Sequence, residues 1–383
     1  MTRRTIAAGL AAGLAAAFLA PIPGYASGPG HDGGWRVRLV GERDLAKGIS
    51  VGGTRVGELS GIDYDRRTGR YYLIADDTTT GPARFYTARI GLRRDRVTGV
   101  RFTGVRELPR PDGTSFPRAT DEGRQSVDPE AIRVDPRDGS LWWSSEGERD
   151  VPADGSAPYL VDPFVRQAAR DGRYIRRLRL PGNLRMSARP TGPRANLVLE
   201  GLTLSRDGRR VAASTEGALY QDGPIATVDH GAVNRITWWD RRSGRPVRQL
   251  AYPLDAIPAK PDPPTASADN GISELLAVDR HHYLAVERSF STGVGNSIRV
   301  YEFDTRGATN VLRRRSLTSG GYRAVRKHPL VDLGALGLPH VDNIEGVTWG
   351  PRLPTGERTL VFVADDNFNP SQTGQIIVVA LRR

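Results

Sequence analysis

Cysteine is absent from all 383 residues. That excludes thiol catalysis, thiolate metal sites and disulfides. It does not exclude export, since a chain of this size buries enough core without cross-links. Lysine is nearly absent too: of the 55 Lys and Arg side chains, only Lys47, Lys260 and Lys327 are lysine. The formal net charge of +12 reflects either an arginine-biased composition or a surface that attracts anions, phosphorylated substrates included. Basic and aromatic residues do not gather on one element, so no nucleic-acid partner is expected. No GxSxG elbow, HExxH pair or P-loop occurs, which disfavours a serine hydrolase, a zincin and an ATPase.

Residues 1–27 read as a signal peptide: Arg3 and Arg4 start it, Ile6 to Leu19 form its apolar middle, and GYAS offers a cleavage site near Ala26. The apolar run is short and mostly Ala and Gly, which suits a membrane anchor less well. TRRTI faintly resembles a twin-arginine signal, the alternative being an ordinary secretory one. The expectation is a secreted or periplasmic domain of residues 28–383, monomeric, with no membrane span after cleavage.

What the chain has in abundance is one phrase. LSGIDYDRRTGRYYLIADD (59–77), PEAIRVDPRDGSLWWSSEGE (129–148), LEGLTLSRDGRRVAASTEG (199–217), SELLAVDRHHYLAVERS (273–289) and DNIEGVTWGPRLPTGERTLVFVADDNF (342–368) share the grammar of a hairpin. Aligning their leading polar residues gives Ser60, Glu130, Glu200, Glu274 and Glu345, at steps of 70, 70, 74 and 71. Each hairpin ends on acids: Asp76/Asp77, Glu146, Glu216, Glu287 and Asp365/Asp366, with 16 residues from lead to end in the first three copies.

A long fixed period built of strands and turns points to an all-β fold, a β-propeller with one blade per repeat. The 38 residues after Glu345 and the 32 from about Gly28 to Ser60 together make one more period of 70. Five blades therefore close the ring, with WRVRLVGERDLA (35–46) completing the last; a sixth would need a degenerate blade hidden in 319–341. The outer strands expected for blade four are SIRVYEFDT and VLRRRSLTS, with 320–341 an insertion. Residues 256–269 read as a Pro-rich surface loop.

The first strand of a propeller blade lines the central channel, so repetition gathers these acids at one mouth. Like charges at short range raise one another's pKa or demand a cation. An all-oxygen donor set without cysteine suits a hard ion, calcium above all; the alternative is that the acids pair with arginines. ADDNFNPSQ, with Asp365, Asn367, Asn369 and Ser371 alternating, echoes half a calcium loop. Arg288 either forks an anionic group or forms a buried ion pair with a ring glutamate. His340 lies within reach of the mouth, and Trp142, Trp143 and Trp349 either stack on a ligand or fill core between blades.

At these five motifs, in this order, the chain resembles the phytase-like family, also described as esterase-like activity of phytase, whose members are exported bacterial propellers. The departures are Ser60, where other repeats carry Glu, and the tight turn at 279–282. The resemblance implies hydrolysis of phosphoesters or carboxyesters, by analogy with calcium-dependent propeller phytases. Taken with the spacing, it nominates Glu130, Glu200, Glu274, Glu345, Asp77 and Asp366 as Ca2+ ligands. Glu216 is nominated as base and Arg288 as the clamp for a small anionic, phosphorylated substrate. Two alternatives stand beside it: a calcium-stabilised binding or scaffold propeller without turnover, and a metal-dependent lactonase or carboxyesterase.

Overall fold

The structure is a computed structural model and describes residues 34–77, 79–118, 121 and 126–383. The signal-peptide expectation for 1–27 lies outside the described residues. Five four-stranded antiparallel sheets form the five blades. From the inner strand outward, blade one is Leu59–Asp65, Arg70–Ala75, Arg84–Leu92 and Val97–Glu107. Blade two is Pro129–Val134, Leu141–Ser145, Phe164–Ala168 and Tyr174–Arg177. Blade three is Leu199–Leu204, Arg210–Thr215, Ala232–Asp240 and Pro246–Leu254, and blade four is Ala268–Ala277, His282–Ser291, Gly295–Asp304 and Arg326–Asp332. Blade five runs Asn343–Trp349, Arg358–Asp365 and Gln375–Arg382, and its outer strand is the N-terminal Arg36–Asp44. That strand pairs antiparallel with the C-terminal one from Arg36 opposite Arg382 to Asp44 opposite Gln375. The ring is thus fastened by both ends of the described chain.

Two segments depart from expectation. The outer strand of blade four is Arg326–Asp332, inside the supposed insertion, whereas 311–319 forms turns. Val311 and Leu317 are buried beside Ala251 of blade three instead, so that segment packs as a plug and is not available to pair. In blade two, Pro and Asp interrupt the strand pattern over 149–169 and read as an excursion before YIRRLRLP, yet the third strand, Phe164–Ala168, lies inside that stretch, after a small hairpin of Glu148–Asp150 and Tyr159–Val161. Among the described residues no helix is long and apolar enough to cross a membrane.

Strands that alternate between two buried faces read as continuous apolar runs. In TLVFVA, Leu360, Phe362 and Ala364 face blade four while Val361 and Val363 face blade one. The C-terminal strand repeats the device, with Ile377, Val379 and Leu381 on one side and Ile376, Val378 and Ala380 on the other. Five such seams, one between each pair of neighbouring blades, make up the core. Trp142, Trp143 and Trp349 sit in three different seams, so all three are core residues. Truncating Phe362 to Ala would open the seam between blades four and five at roughly 3–5 kcal/mol.

The inner hairpins turn sharply because the sequence supplies turn chemistry. In DRRTG, DPRDG and SRDG the glycines 69, 139 and 208 adopt φ of 64°, 77° and 62°. Asp65 and Asp135 accept from the backbone N–H two residues on, at 2.9 Å in each case. Midway along the channel, Arg133 closes the bore. Its guanidinium donates to the carbonyls of Ile62, Ile132, Leu202, Leu275 and Val347, one from each blade.

Candidate functional site

The carbonyl ring around Arg133 fixes which positions are equivalent. Two residues before each carbonyl stand Ser60, Glu130, Glu200, Ser273 and Glu345. At this point every inner strand slips register against its neighbour: Leu59/Gly61, Pro129/Ile132, Leu199/Leu202, Ile272/Glu274 and Ile344/Gly346. A bulge re-aims the extra residue, and here it does so five times at one mouth. In blades one, three and five a glycine follows the bulged residue, with no room for a side chain. A Cβ on Gly61 would come within 2.7 Å of the Glu130 carbonyl, and one on Gly346 within 2.9 Å of Ile62 N.

The second strands supply a matching ring. One residue past the partners of Leu59, Pro129, Leu199, Ile272 and Ile344 lie Asp76, Glu146, Glu216, Arg288 and Asp365. The two rings together hold seven carboxylates and one arginine; blade one supplies Ser60 to the first ring, and blade four supplies Ser273 and Arg288 and no acid.

Carboxylate oxygens from these rings, joined by Asp128 beside them, converge in three groups, within 4.8 Å of one another in each: Asp76, Glu345 and Asp365; Asp128, Glu130 and Glu146; Glu146, Glu200 and Glu216. Glu146 is shared by two of them. Hydrogen bonds fix part of the set. Ser60 Oγ donates to Glu130 Oε2 at 2.7 Å, Val198 N to Glu146 Oε1 at 2.6 Å, and Asn343 Nδ2 to Glu345 Oε1 at 2.9 Å. Arg288 Nη2 donates to Glu216 Oε1 at 2.6 Å and its Nε lies 3.9 Å from Glu345 Oε1. Gly271 leaves the room Glu216 occupies, since a Cβ there would sit 2.4 Å from Glu216 Cγ.

Burial is the main force on these acids, and their neighbours add to it. It pushes Glu130, Glu200, Asp76 and Asp365 well above the usual carboxylate range, and adjacent carboxylates push the same way. Glu146 is raised to about 8 by burial and then by Glu216 and Asp128, and Asp128 to about 7 by burial and Glu148. Glu345 is raised to about 7 by burial, with Arg288 opposing. Glu216 is raised less, because Arg288 holds it down against its burial.

The residues present fit a hard divalent cation. Every donor is an oxygen, and Asp76 Oδ1 and Glu345 Oε2 are buried without any hydrogen-bond partner. A buried carboxylate oxygen left bare costs about 1–3 kcal/mol or more, and a cation among converging acids removes that cost.

Of the residues nominated from sequence, the structure brings Glu130, Glu200, Glu345, Glu216 and Arg288 together. It does not bring Glu274, Asp77 or Asp366 into any of the three groups. Glu274 occupies the small-residue position after the bulge, points down the channel and pairs with Arg133 at 2.6 Å. Asp77 turns away to Arg84 at 2.8 Å and to the backbone of Thr79 and Thr80. Asp366 accepts from Glu58 N and Phe368 N. Glu287 leaves the mouth for Tyr252 and Lys327. His340 lies at the periphery, 3.6 Å from Asp44. The adjacent acids Asp76 and Asp365 take the positions given to Asp77 and Asp366, and the 16-residue spacing from Ser60 already selected Asp76. Asp128 was visible only as the residue two before Glu130.

The sequence profile of the phytase-like family, described as esterase-like activity of phytase, matches residues 54–368. The chain belongs to this family. No curated protein matches it significantly. Among solved structures, a gluconolactonase from Xanthomonas campestris is 14% identical over 91% of this chain and 90% of its own, with a TM-score of 0.38. The periplasmic gluconolactonase PpgL of Pseudomonas aeruginosa is 13% identical over 85% and 86%, at 0.35. A thermostable family-43 glycoside hydrolase is 9% identical over 88% and 92%, at 0.41. At these scores the likenesses carry no weight for chemistry.

Proposed function

We propose that this phytase-like propeller is an exported, calcium-dependent hydrolase of phosphoesters, acting on small anionic substrates as a monomer at its acid-lined mouth. The observation that carries this reading is the convergence of three carboxylate groups, two of their oxygens buried and bare, around the half-buried Arg288. Asp76, Glu345 and Asp365 would hold one cation; Asp128, Glu130, Glu146 and Glu200 offer ligands for a second, leaving Glu216 free. Bound there, such ions supply charge neutralisation at phosphate oxygens and a lowered pKa for a coordinated water.

The chain's own residues supply the rest. Arg288, through the 2.6 Å bond, opposes the burial that raises Glu216 and favours its anionic form, which suits Glu216 to accept a proton. The Arg288 Nε–H has no acceptor and offers a charge-assisted bond to an anionic oxygen. Ser60 and Asn343 orient Glu130 and Glu345. Export rests on the leader and the family resemblance.

Arg288 is the single cation among the ten ring positions, which favours a second reading: hydrolysis of a lactone or carboxyester, whose neutral substrate needs no basic cluster. Purified protein assayed in calcium on a phosphomonoester, a phosphodiester, phytate and a lactone separates the two. Phosphate release abolished by Glu200→Gln and Glu345→Gln supports the first, and lactone opening with the same sensitivity supports the second. Calcium binding with no turnover on any of them leaves the scaffold reading.

A further inference from the structure

The opposite mouth of the channel holds a recess of about 270 Å3, walled by the inner hairpin turns and floored by Arg133. Arg133 spends its N–H groups on the carbonyl ring and Glu274, so this recess is sealed from the acid rings. Arginines gather around it. Arg66 and Arg206 line it and are exposed. Arg358 lies on the indole of Trp349, another lining residue, with 3.5 Å from its guanidinium carbon to the ring centroid. Burial, then the like charges of Arg206, Arg352 and Arg66, pull the Arg358 guanidinium down to about 10.

Those arginines are not balanced locally. The acids lining the recess are already engaged: Asp63 with Arg133, Asp65 with Arg170 and Asp135 with Arg241. Among the described residues Arg66, Arg206 and Arg358 have no ion-paired carboxylate. Deeper in the wall, buried Thr203 accepts from Ala277 N at 3.0 Å, which leaves its hydroxyl proton free to donate. Unpaired guanidinium groups held close repel one another, and a multiply charged anion offsets that repulsion while using their fork geometry. At about 30 Å3 per water, the recess has room for a molecule of pyrophosphate or tricarboxylate size.

We propose that this recess is a second ligand site, specific for a small polyanion bearing two or more phosphate or carboxylate groups, held by Arg66, Arg206 and Arg358. It goes beyond the hydrolase reading and is independent of it, since it uses none of the ring acids and needs no metal.

The test is calorimetric titration of pyrophosphate into metal-free protein from which the chelator has been dialysed away. Saturable binding is expected, weakened at least tenfold in Arg66→Gln/Arg206→Gln. Because both side chains are exposed, the double variant should fold, and its melting curve checks this. Glu200→Gln and the distant Arg101→Gln should bind as the parent does. No saturable binding, equal binding by the double variant, or loss of binding in Glu200→Gln would each overturn the proposal.

Discussion

Replacing Glu146 by glutamine should stabilise the metal-free protein at high pH and lose most of that advantage in calcium. In metal-free protein, Glu146 is an acid raised from 4.5 to about 8 by burial and by Glu216 and Asp128. A carboxyl whose folded pKa lies above its unfolded one contributes no penalty below the unfolded value. It costs stability progressively as pH rises toward the folded value. At 1.36 kcal/mol per pKa unit, ionising it at pH 8 costs about 4 kcal/mol. Glutamine removes that cost and still accepts the Val198 N–H bond now made at 2.6 Å. The metal-free variant should therefore gain about 4 kcal/mol at pH 8 and close to nothing at pH 4.5. That corresponds to a melting temperature higher by on the order of 5–10 °C at pH 8. In calcium most of that gain is given up. Glu146 belongs to two of the three acidic groups, so its loss weakens binding, and linkage of about 2.7 kcal/mol at a hundredfold excess over Kd disappears. Melting curves at pH 4.5 and 8, in chelator and in calcium, read all four values. A variant destabilised in chelator at pH 8, or a gain equal at both pH values, would refute the argument.

Other perturbations read other parts of the ring. Arg133→Met should cost 3–5 kcal/mol by leaving Glu274 as an uncompensated buried charge, and Arg133→Met/Glu274→Gln should recover part of it in urea titrations. Glu274→Gln alone should lower stability yet leave the calcium-induced rise in melting temperature intact, because Glu274 is outside the acidic groups. Arg288→Gln frees Glu216 from its ion pair. The acidic limb of its pH–rate profile, set by Glu216 as the base, should shift to higher pH and kcat fall by about tenfold or more, consistent with a lost charge-assisted bond of 1.5–3 kcal/mol; an unshifted profile would remove Arg288 from the site.

How much of this the sequence disclosed depended on scale. The 70-residue period gave the blade count, and the alternation in WRVRLVGERD gave the closing strand, because both follow from patterns that repeat or alternate. The site was legible to within one residue and no better. Glu274 looks like the fourth member of the leading series, but the bulge at Ile272/Glu274 puts Ser273 there. The same bulge puts Arg288, and not Glu287, into the second ring. Bulges shift register without marking composition, so a one-residue error sends a side chain to the other face. At Asp76/Asp77 and Asp365/Asp366 two acids stand side by side, so composition alone does not say which of each pair faces the mouth. The Arg133 plug was invisible, because its partners are five backbone carbonyls on strands up to 214 residues away. The outer strand of blade four was missed because RKHPLVD carries a proline, tolerated here on a blade's outermost strand.

The central claim, that the rings are a metal centre, is tested most directly by stripping the protein with a chelator and following its melting temperature during titration with Ca2+, Mg2+ and Zn2+. The account predicts a large rise selective for calcium, lost in Glu146→Gln and Glu200→Gln but kept in Glu274→Gln. No rise with any ion would contradict it and leave the acids as protonated or arginine-paired structural groups.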